Sequence, residues 1–301
     1  MASRLPRFKR APTVAPMRLT ERDQRIIRLV HRHRFLRSPQ IVALLGSSPQ
    51  QLLRRLKLLY HNGYLERPRA QIDTYHQPGS RHIIYGLGNK SRTFLKQELG
   101  EDFSEVSWDD KNRAVGRIFL EHALLVSDVM VSFELACRKH DGIRLLYEDE
   151  LKLPSERQPF QWRVKTRDGI RLGVIPDRVF ALEYTDQNAQ PQRVCFFLEA
   201  DRGTMPVVRS GLTQTSFYRK LLAYEATWAQ KIHERHLGIH RFRVLTVTTI
   251  AGRVNSLLEA CSKLKRGHGL FLFADQTILE KDMFSPIWQI ARPGKTASLL
   301  N

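Results

Sequence analysis

The chain has 301 residues, 42% hydrophobic and 26% charged, which is a globular composition with room for two domains that each bury a core. Lysines and arginines number 49 against 30 acids, a net charge of +19 of which +15 falls in residues 1–100, so the expected partner is a polyanion. No run approaches the length of a membrane span, Met1–Arg10 is basic without an apolar stretch after it, and the scattered Cys137, Cys195 and Cys261 form neither a disulfide framework nor a zinc knuckle; these features predict a cytoplasmic protein, associated with nucleoid or plasmid, with no membrane role.

Residues 1–17 set Arg4, Arg7, Lys9 and Arg10 among Pro6, Pro12 and Pro16 and read as a flexible basic arm that follows a phosphate backbone, enters a minor groove or makes no contact at all. Thr20-Glu-Arg-Asp is an N-cap with acid in the first turn, and Ile26, Ile27, Val30 and Phe35 form the apolar stripe of a first helix. Ser38 caps a short helix with Pro39 in its first turn, Ile41, Leu44 and Leu45 on one face, and Gly46 at its end. Ser47 or Ser48 caps the next, with Pro49 just inside, apolar spacing from Leu52 to Tyr60 and a stop at Asn62-Gly63. Two strands follow, Tyr64–Arg67 and Ile83–Leu87, joined by a polar segment that contains Arg69, His76, Pro78-Gly79 and Arg81.

This order predicts a winged helix-turn-helix over residues 18–99, closed by a helix at Lys90–Leu99. The open face of its second short helix retains Gln50, Gln51, Arg54, Arg55 and Lys57, and Arg69 and Arg81 lie in the wing. Glutamine pairs with donor and acceptor on an adenine edge, arginine with guanine or phosphate, so these seven residues are the candidate contacts to double-stranded DNA. The same helix face is also what an ordinary solvated helix presents; the concentration of charge in this third of the chain favours the DNA reading.

Residues 100–112 are acidic and irregular and read as a linker. A second domain is expected over 113–290, beginning with a long amphipathic helix at Arg113–Lys139 that covers a sheet. A strand at Leu145–Leu153 leads to a polar, turn-rich stretch over 154–169, and Gly173–Tyr184 and Arg193–Gly203 read as strands paired through a turn at Asp186–Asn188. Then come a helix at Leu212–His236, a buried strand at Phe242–Ile250, a helix at Val254–Leu264, a strand at Gly269–Phe273 and a tail over 291–301. The alternation implies an α/β domain with a mixed sheet. His233, His236 and His240 have a helix-like spacing that could meet a metal, but they lie among Arg235, Arg241 and Arg243, whereas zinc sites favour cysteines or nearby acidic partners.

Asp177 and the pair Glu199 and Asp201 put three carboxylates at neighbouring strand ends, and period-two alternation turns Glu199 and Asp201 to one face. Such oxygens suit Mg²⁺ or Mn²⁺, and metal-dependent phosphodiester cleavage also needs a cation near the attacking water. The arrangement resembles the PD-(D/E)xK nucleases, with Asp201 standing where that fold carries its lysine. Lys220 and Tyr224 on the next helix resemble the Gln-x-x-x-Tyr motif of the exonuclease branch and offer an ammonium from a neighbouring element. The alternative is a silent scaffold in which these carboxylates hold strand ends and pair with Arg178 or Arg202.

From Leu19-Thr-Glu-Arg-Asp through Phe35-Leu36, Leu56–Leu65, His122, Pro176-Asp177, Phe197–Gly203, Lys220 and Tyr224, the chain resembles the replication-relaxation family of plasmids and integrative elements. The resemblance implies a DNA-binding protein of a mobile element, acting in replication, DNA relaxation or transcriptional control. The expected architecture is an N-terminal winged helix-turn-helix followed by a restriction-endonuclease-like mixed-sheet domain without catalysis. The expected partners are duplex DNA, a second copy of the chain, and replication or relaxosome proteins. The competing reading is a Mg²⁺- or Mn²⁺-dependent endonuclease that uses Asp177, Glu199 and Lys220.

Overall fold

The computed structural model describes residues 7–46, 48–72, 82–100, 107–151, 160–186, 188–211, 213–292 and 294–300, which divide into two compact units, Met1–Val131 and Ser132–Asn301. In the first unit α1 (Glu21–His33) begins with a reciprocal cap: Thr20 Oγ1 accepts the Asp23 N–H at 3.4 Å, and Asp23 Oδ2 accepts the Thr20 N–H at 2.7 Å. Ile26, Ile27 and Val30 are fully buried. A two-residue strand, β1 (Leu36–Arg37), then leads directly into α2 (Ser38–Leu45). The cap of α2 is Arg37, one residue before the expected Ser38: the Arg37 N–H is satisfied by Gln40 Oε1 at 2.7 Å, and the Ser38 N–H goes to the Ile83 carbonyl at 2.9 Å. Gly46 ends the helix in the left-handed region at φ 62°.

Next comes α3 (Pro49–His61), which buries Leu52, Leu56 and Leu59 completely. With β2 (Leu65–Glu66) and β3 (Ile84–Leu87) the first unit gains an antiparallel sheet in the order β1-β3-β2, Leu36 opposite Tyr85 and Leu65 opposite Leu87. Gly86 is needed in β3, because a Cβ there would lie 2.8 Å from the Phe35 ring. A helix α4 (Asn89–Leu99) follows as expected.

Within the expected linker, Ser107 caps α5 (Trp108–Arg113), its Oγ accepting the Asp110 N–H at 3.3 Å. The expected helix from Arg113 is interrupted at 114–116, where Ala114 caps α5 and Gly116 precedes α6 (Arg117–Cys137). The division between the two units falls inside α6.

Part of the basic arm is also fixed. Arg10 donates to both Asp109 oxygens at 2.7 and 2.8 Å and to the Tyr60 and Leu65 carbonyls at 3.1 Å, and it pairs with the buried Glu66 at 3.1 Å. Ala11 N–H meets His61 Nδ1 at 3.1 Å. Four acceptors on one guanidinium turn this segment into a strap across the unit.

In the second unit β4 (Arg144–Tyr147) is shorter than the expected strand, and the turn-rich stretch ends in an unanticipated hairpin of β5 (Trp162–Lys165) and β6 (Arg171–Val174). The strand expected from Gly173 is broken at Ile175–Asp177, so β7 (Arg178–Thr185) starts after Asp177. It pairs with β8 (Pro191–Asp201) through a turn in which Asp186 Oδ1 accepts the N–H groups of Asn188 and Gln190, each at 2.9 Å. Then follow α7 (Phe217–Ala229), the short α8 (Ile232–Arg235), β9 (Phe242–Thr248), α9 (Ala251–Ser262), β10 (Phe271–Asp275), β11 (Trp288–Gln289) and β12 (Thr296–Ala297).

The main sheet has seven strands in the order β12-β11-β10-β9-β8-β7-β4, parallel at β8–β9 and β9–β10 and antiparallel elsewhere. The mixed sheet expected from the sequence is therefore present. Val194–Asp201 is continuously buried, as a central strand covered on both faces must be. Phe197, Val244, Phe271 and Phe273 pack with Leu221, Val254 and Leu257 of α7 and α9. On the other face Phe133 of α6 meets Phe180 at 4.9 Å and stacks on Trp288 at 6.2 Å. Each buried ring of this kind contributes on the order of 1.5–3 kcal/mol. Among the described residues no helix is long and apolar enough to cross a membrane.

Candidate nucleic-acid interface and carboxylate cluster

On α3, Gln50, Gln51 and Arg54 are exposed, Lys57 is half-buried, and Leu53 stands 46% exposed among them. Arg69 is exposed in a single turn of 3-10 helix, Arg69–Gln71. Arg81 lies outside the described residues, as do His76 and Pro78-Gly79.

Arg55 is half-buried and engaged within the unit. Its Nε and Nη2 each reach an oxygen of Asp23 at 2.6 Å, and Nη2 also meets the Arg18 carbonyl at 3.1 Å. Asp23 is 0% exposed, so this bidentate pair neutralises a buried charge and ties α3 to the start of α1. Burial opposes ionisation of Asp23, and the hydrogen bonds from Arg55 and Thr20 outweigh it, holding the carboxyl below its ordinary range.

The cation of β2's edge is internal as well. The Arg67 guanidinium lies over the Tyr60 ring at 4.1 Å and the Tyr85 ring at 5.1 Å, donates to Tyr85 Oη at 3.1 Å and bonds the Arg7 carbonyl. Glu66 takes Arg113 at 2.9 Å besides Arg10. Next to this group His61 is pushed down to about 4 by burial and by the charges of Arg67, Lys57 and Arg10, so it is a neutral acceptor for Ala11.

The second constellation sits at the ends of β7 and β8. Parallel pairing sets Glu199 opposite Thr246 and Asp201 opposite Thr248. Lys220 and Tyr224, one turn apart on α7, come down on Glu199: Lys220 Nζ pairs with Oε2, and Tyr224 Oη donates to Oε1 at 2.5 Å. Glu199 is 2% exposed and Lys220 35%. Burial pushes the Glu199 carboxyl above the usual range against the pull of Lys220, with Asp177 adding to the push. Burial works against the Lys220 ammonium too, yet Glu199 and Asp177 hold its pKa above its ordinary value. Burial, together with Glu199, drives the Tyr224 phenol far above its ordinary range, so it stays a donor.

Asp177 closes the strand end, its Oδ2 accepting the Ala200 N–H at 2.8 Å while its own N–H goes to the Leu198 carbonyl at 3.0 Å. Asp201 is held by Arg253 of α9, through Nε to Oδ2 and through Nη2 to Oδ1 at 3.0 Å, and Arg253 also bonds the Met205 carbonyl. Gly203, at φ 73°, donates to Asp201 Oδ1 at 3.3 Å. Arg253 was not among the sequence candidates; the signal available was a carboxylate in a buried strand, which requires a cation without saying which.

Asp177, Glu199, Asp201 and Lys220 are thus brought together, as their pattern predicts. Their donor atoms do not fit a divalent cation: both Glu199 oxygens and both Asp201 oxygens are engaged by protein groups, and among the described residues no group of three or more His, Cys, Asp or Glu side chains is placed to hold a metal. His233 is buried with its ring 4.9 Å from Phe242, a packed side chain.

A family profile for replication-relaxation proteins matches residues 27–242, spanning α1 to the start of β9. The chain belongs to the replication-relaxation family. Membership points to the replication or relaxation of plasmids and related mobile elements. No curated protein and no solved structure matches the chain.

Proposed function

We propose that this replication-relaxation protein binds double-stranded DNA through a winged helix made of α1–α3 and the β1-β3-β2 sheet, with α3 in the major groove. The observation that carries the reading is the exposed row of Gln50, Gln51 and Arg54 on α3, in the third of the chain that holds +15 of the +19 net charge. Arg69 extends the cationic surface toward the wing. The second unit is read as a nuclease-like scaffold without catalysis, because its cluster spends its cations on its own carboxylates.

Fluorescence anisotropy on duplex DNA over a range of salt tests the reading. Gln50→Ala, Arg54→Ala and Lys57→Ala together are expected to weaken binding at least tenfold and to flatten the salt dependence. Unchanged affinity would remove α3 from the interface. Arg55 is left intact in this variant, since its loss strands the buried Asp23 carboxylate and weakens the tie between α3 and α1. Paired half-sites would call for a homodimer built through residues 101–301, which carry only +4; light scattering with and without DNA checks that, and pull-down checks replication or relaxosome partners.

A second reading, metal-dependent endonuclease, is favoured by the arrival of Lys220 beside Asp177 and Glu199. It requires Glu199 to release Lys220 and Tyr224. Incubating supercoiled, linear and single-stranded DNA with Mn²⁺ decides it: cleavage lost in both Asp177→Ala and Glu199→Ala would establish the enzyme, and none is expected.

A further inference from the structure

At the C-terminal end of α1 the chain turns at Arg34 with φ 68° and ψ −51°, and the Phe35 N–H closes onto the His33 carbonyl at 2.9 Å. This is the γ-turn of the rare kind, in which a non-glycine residue is strained. Glycine would make the turn more cheaply. The arginine instead stacks its guanidinium on the Phe119 ring at 4.3 Å. Burial draws its pKa below the ordinary value, and among the described residues no carboxylate pairs with it.

Arg34 borders a pocket of about 200 Å³ whose other polar lining residues among those described are His31, Trp108, Lys111 and Asn112, all in the first unit. Among the described residues no carboxylate lines it. Asp109, the acid beside Trp108, is spent on Arg10. Asn112 Nδ2 donates to the Leu87 carbonyl at 2.8 Å, which fixes α5 against the end of β3 that is farther from the wing turn. An arginine in a strained turn with no acid paired to it among the described residues, a lysine and a tryptophan lining one hollow suit an anion joined to a flat ring. The hollow is smaller than the ~300 Å³ at which pockets for whole drug-sized ligands begin, so it takes one unit of a longer chain.

We propose that this pocket binds one nucleotide of a single-stranded nucleic acid, with Arg34 and Lys111 on the phosphate and Trp108 stacked on the base. The site uses none of the α3 face, so it stands or falls apart from duplex binding.

The test measures anisotropy of labelled oligo(dT), with dTMP and inorganic phosphate as competitors, for the full chain and for Arg34→Gly, Lys111→Ala and Trp108→Ala. Arg34→Gly removes the guanidinium while relieving the turn, so its melting temperature should not fall. Each variant is expected to bind oligo(dT) about tenfold more weakly, a stacking or charge contact of ordinary size, with duplex affinity within twofold of the parent. Should Arg34→Gly fail to fold, the exposed Lys111→Ala carries the same expectation. Parental oligo(dT) affinity in the folded variants would overturn the proposal. So would loss of oligo(dT) binding in the α3 variant alone, or competition by dTMP or phosphate as strong as that of unlabelled oligo(dT).

Discussion

The α3 face and the end of β8 use the same residue types to opposite effect. On α3, Gln50, Gln51 and Arg54 are exposed, with no acid among the described residues paired to Arg54, a surface whose charge is available to a partner. At the end of β8, Glu199 and Asp201 are buried and each has its own cation, Lys220 and Arg253. The contrast is sharpest at Arg54 and Arg55, adjacent in the chain, of which one faces outward and the other closes on buried Asp23. Whether a charged residue recognises a partner or stabilises a fold is decided by whether an internal counter-charge reaches it first.

The largest test of that contrast is Lys220→Ala. It leaves the buried Glu199 without its cation and is expected to cost about 3 kcal/mol, the lower end of the range for a broken buried pair because Lys220 is 35% exposed. A double Lys220→Met, Glu199→Gln variant should recover part of that loss, since no charge is then stranded. Urea unfolding of the three proteins reads both effects. Parental stability in Lys220→Ala would make the cluster as open as the α3 face.

Next in size is Arg55→Ala, which strands the carboxylate of Asp23 and removes the tie between α3 and α1. A loss of about 2–3 kcal/mol is expected. The Asp23 carboxyl is held below its ordinary 3.8, so the stability it supplies is complete above that value and is lost as pH falls through its lowered folded pKa. In Arg55→Ala that acid-side loss should shrink.

His61 gives a pH effect in a separate window. Its folded pKa of about 4 lies below its ordinary 6.5, so between these values the unfolded chain binds a proton that the folded chain does not. Stability is therefore full above pH 6.5 and falls as the pH drops toward 4, by about 2 kcal/mol at pH 5. His61→Gln, which keeps an acceptor for Ala11 and cannot titrate, should flatten the urea midpoint between pH 7 and 5. A parent midpoint that is already flat would place a protonated His61 in the fold.

Local signals carried much of this architecture. Apolar spacing and caps located α1, α2 and α3, and Asn62-Gly63 marked the exit into β2. The apolar run of β8 and the turn at Asp186–Asn188 marked its pairing with β7. Short elements escaped: β1 has two residues, β5 and β6 lie beside a polar stretch, and α5 is a six-residue helix that Ser107 caps in an acidic region. At the sites the residue types were legible and the pairing was not. Arg55 finds Asp23 across 32 positions, Arg253 finds Asp201 across 52 and Arg10 finds Asp109 across 99. Separations of that size are set by tertiary packing, and no periodicity or cap within a helix or strand encodes them.

The smallest expected change in stability, and the one that isolates the open side of the contrast, is Arg54→Ala. Arg54 is exposed and makes no ion pair among the described residues, so its removal should leave the urea midpoint within about 0.5 kcal/mol of the parent. If its guanidinium contacts a phosphate, the slope of log K against log salt for duplex DNA should fall by about 1, with affinity reduced on every sequence alike. If it reads a base edge instead, the slope should hold while discrimination at one position of the site relaxes by about 1–3 kcal/mol. Arg55→Ala should do neither at temperatures where it remains folded. A variant of Arg54 that changed stability while leaving slope and discrimination untouched would move this residue to the closed side, with Arg55.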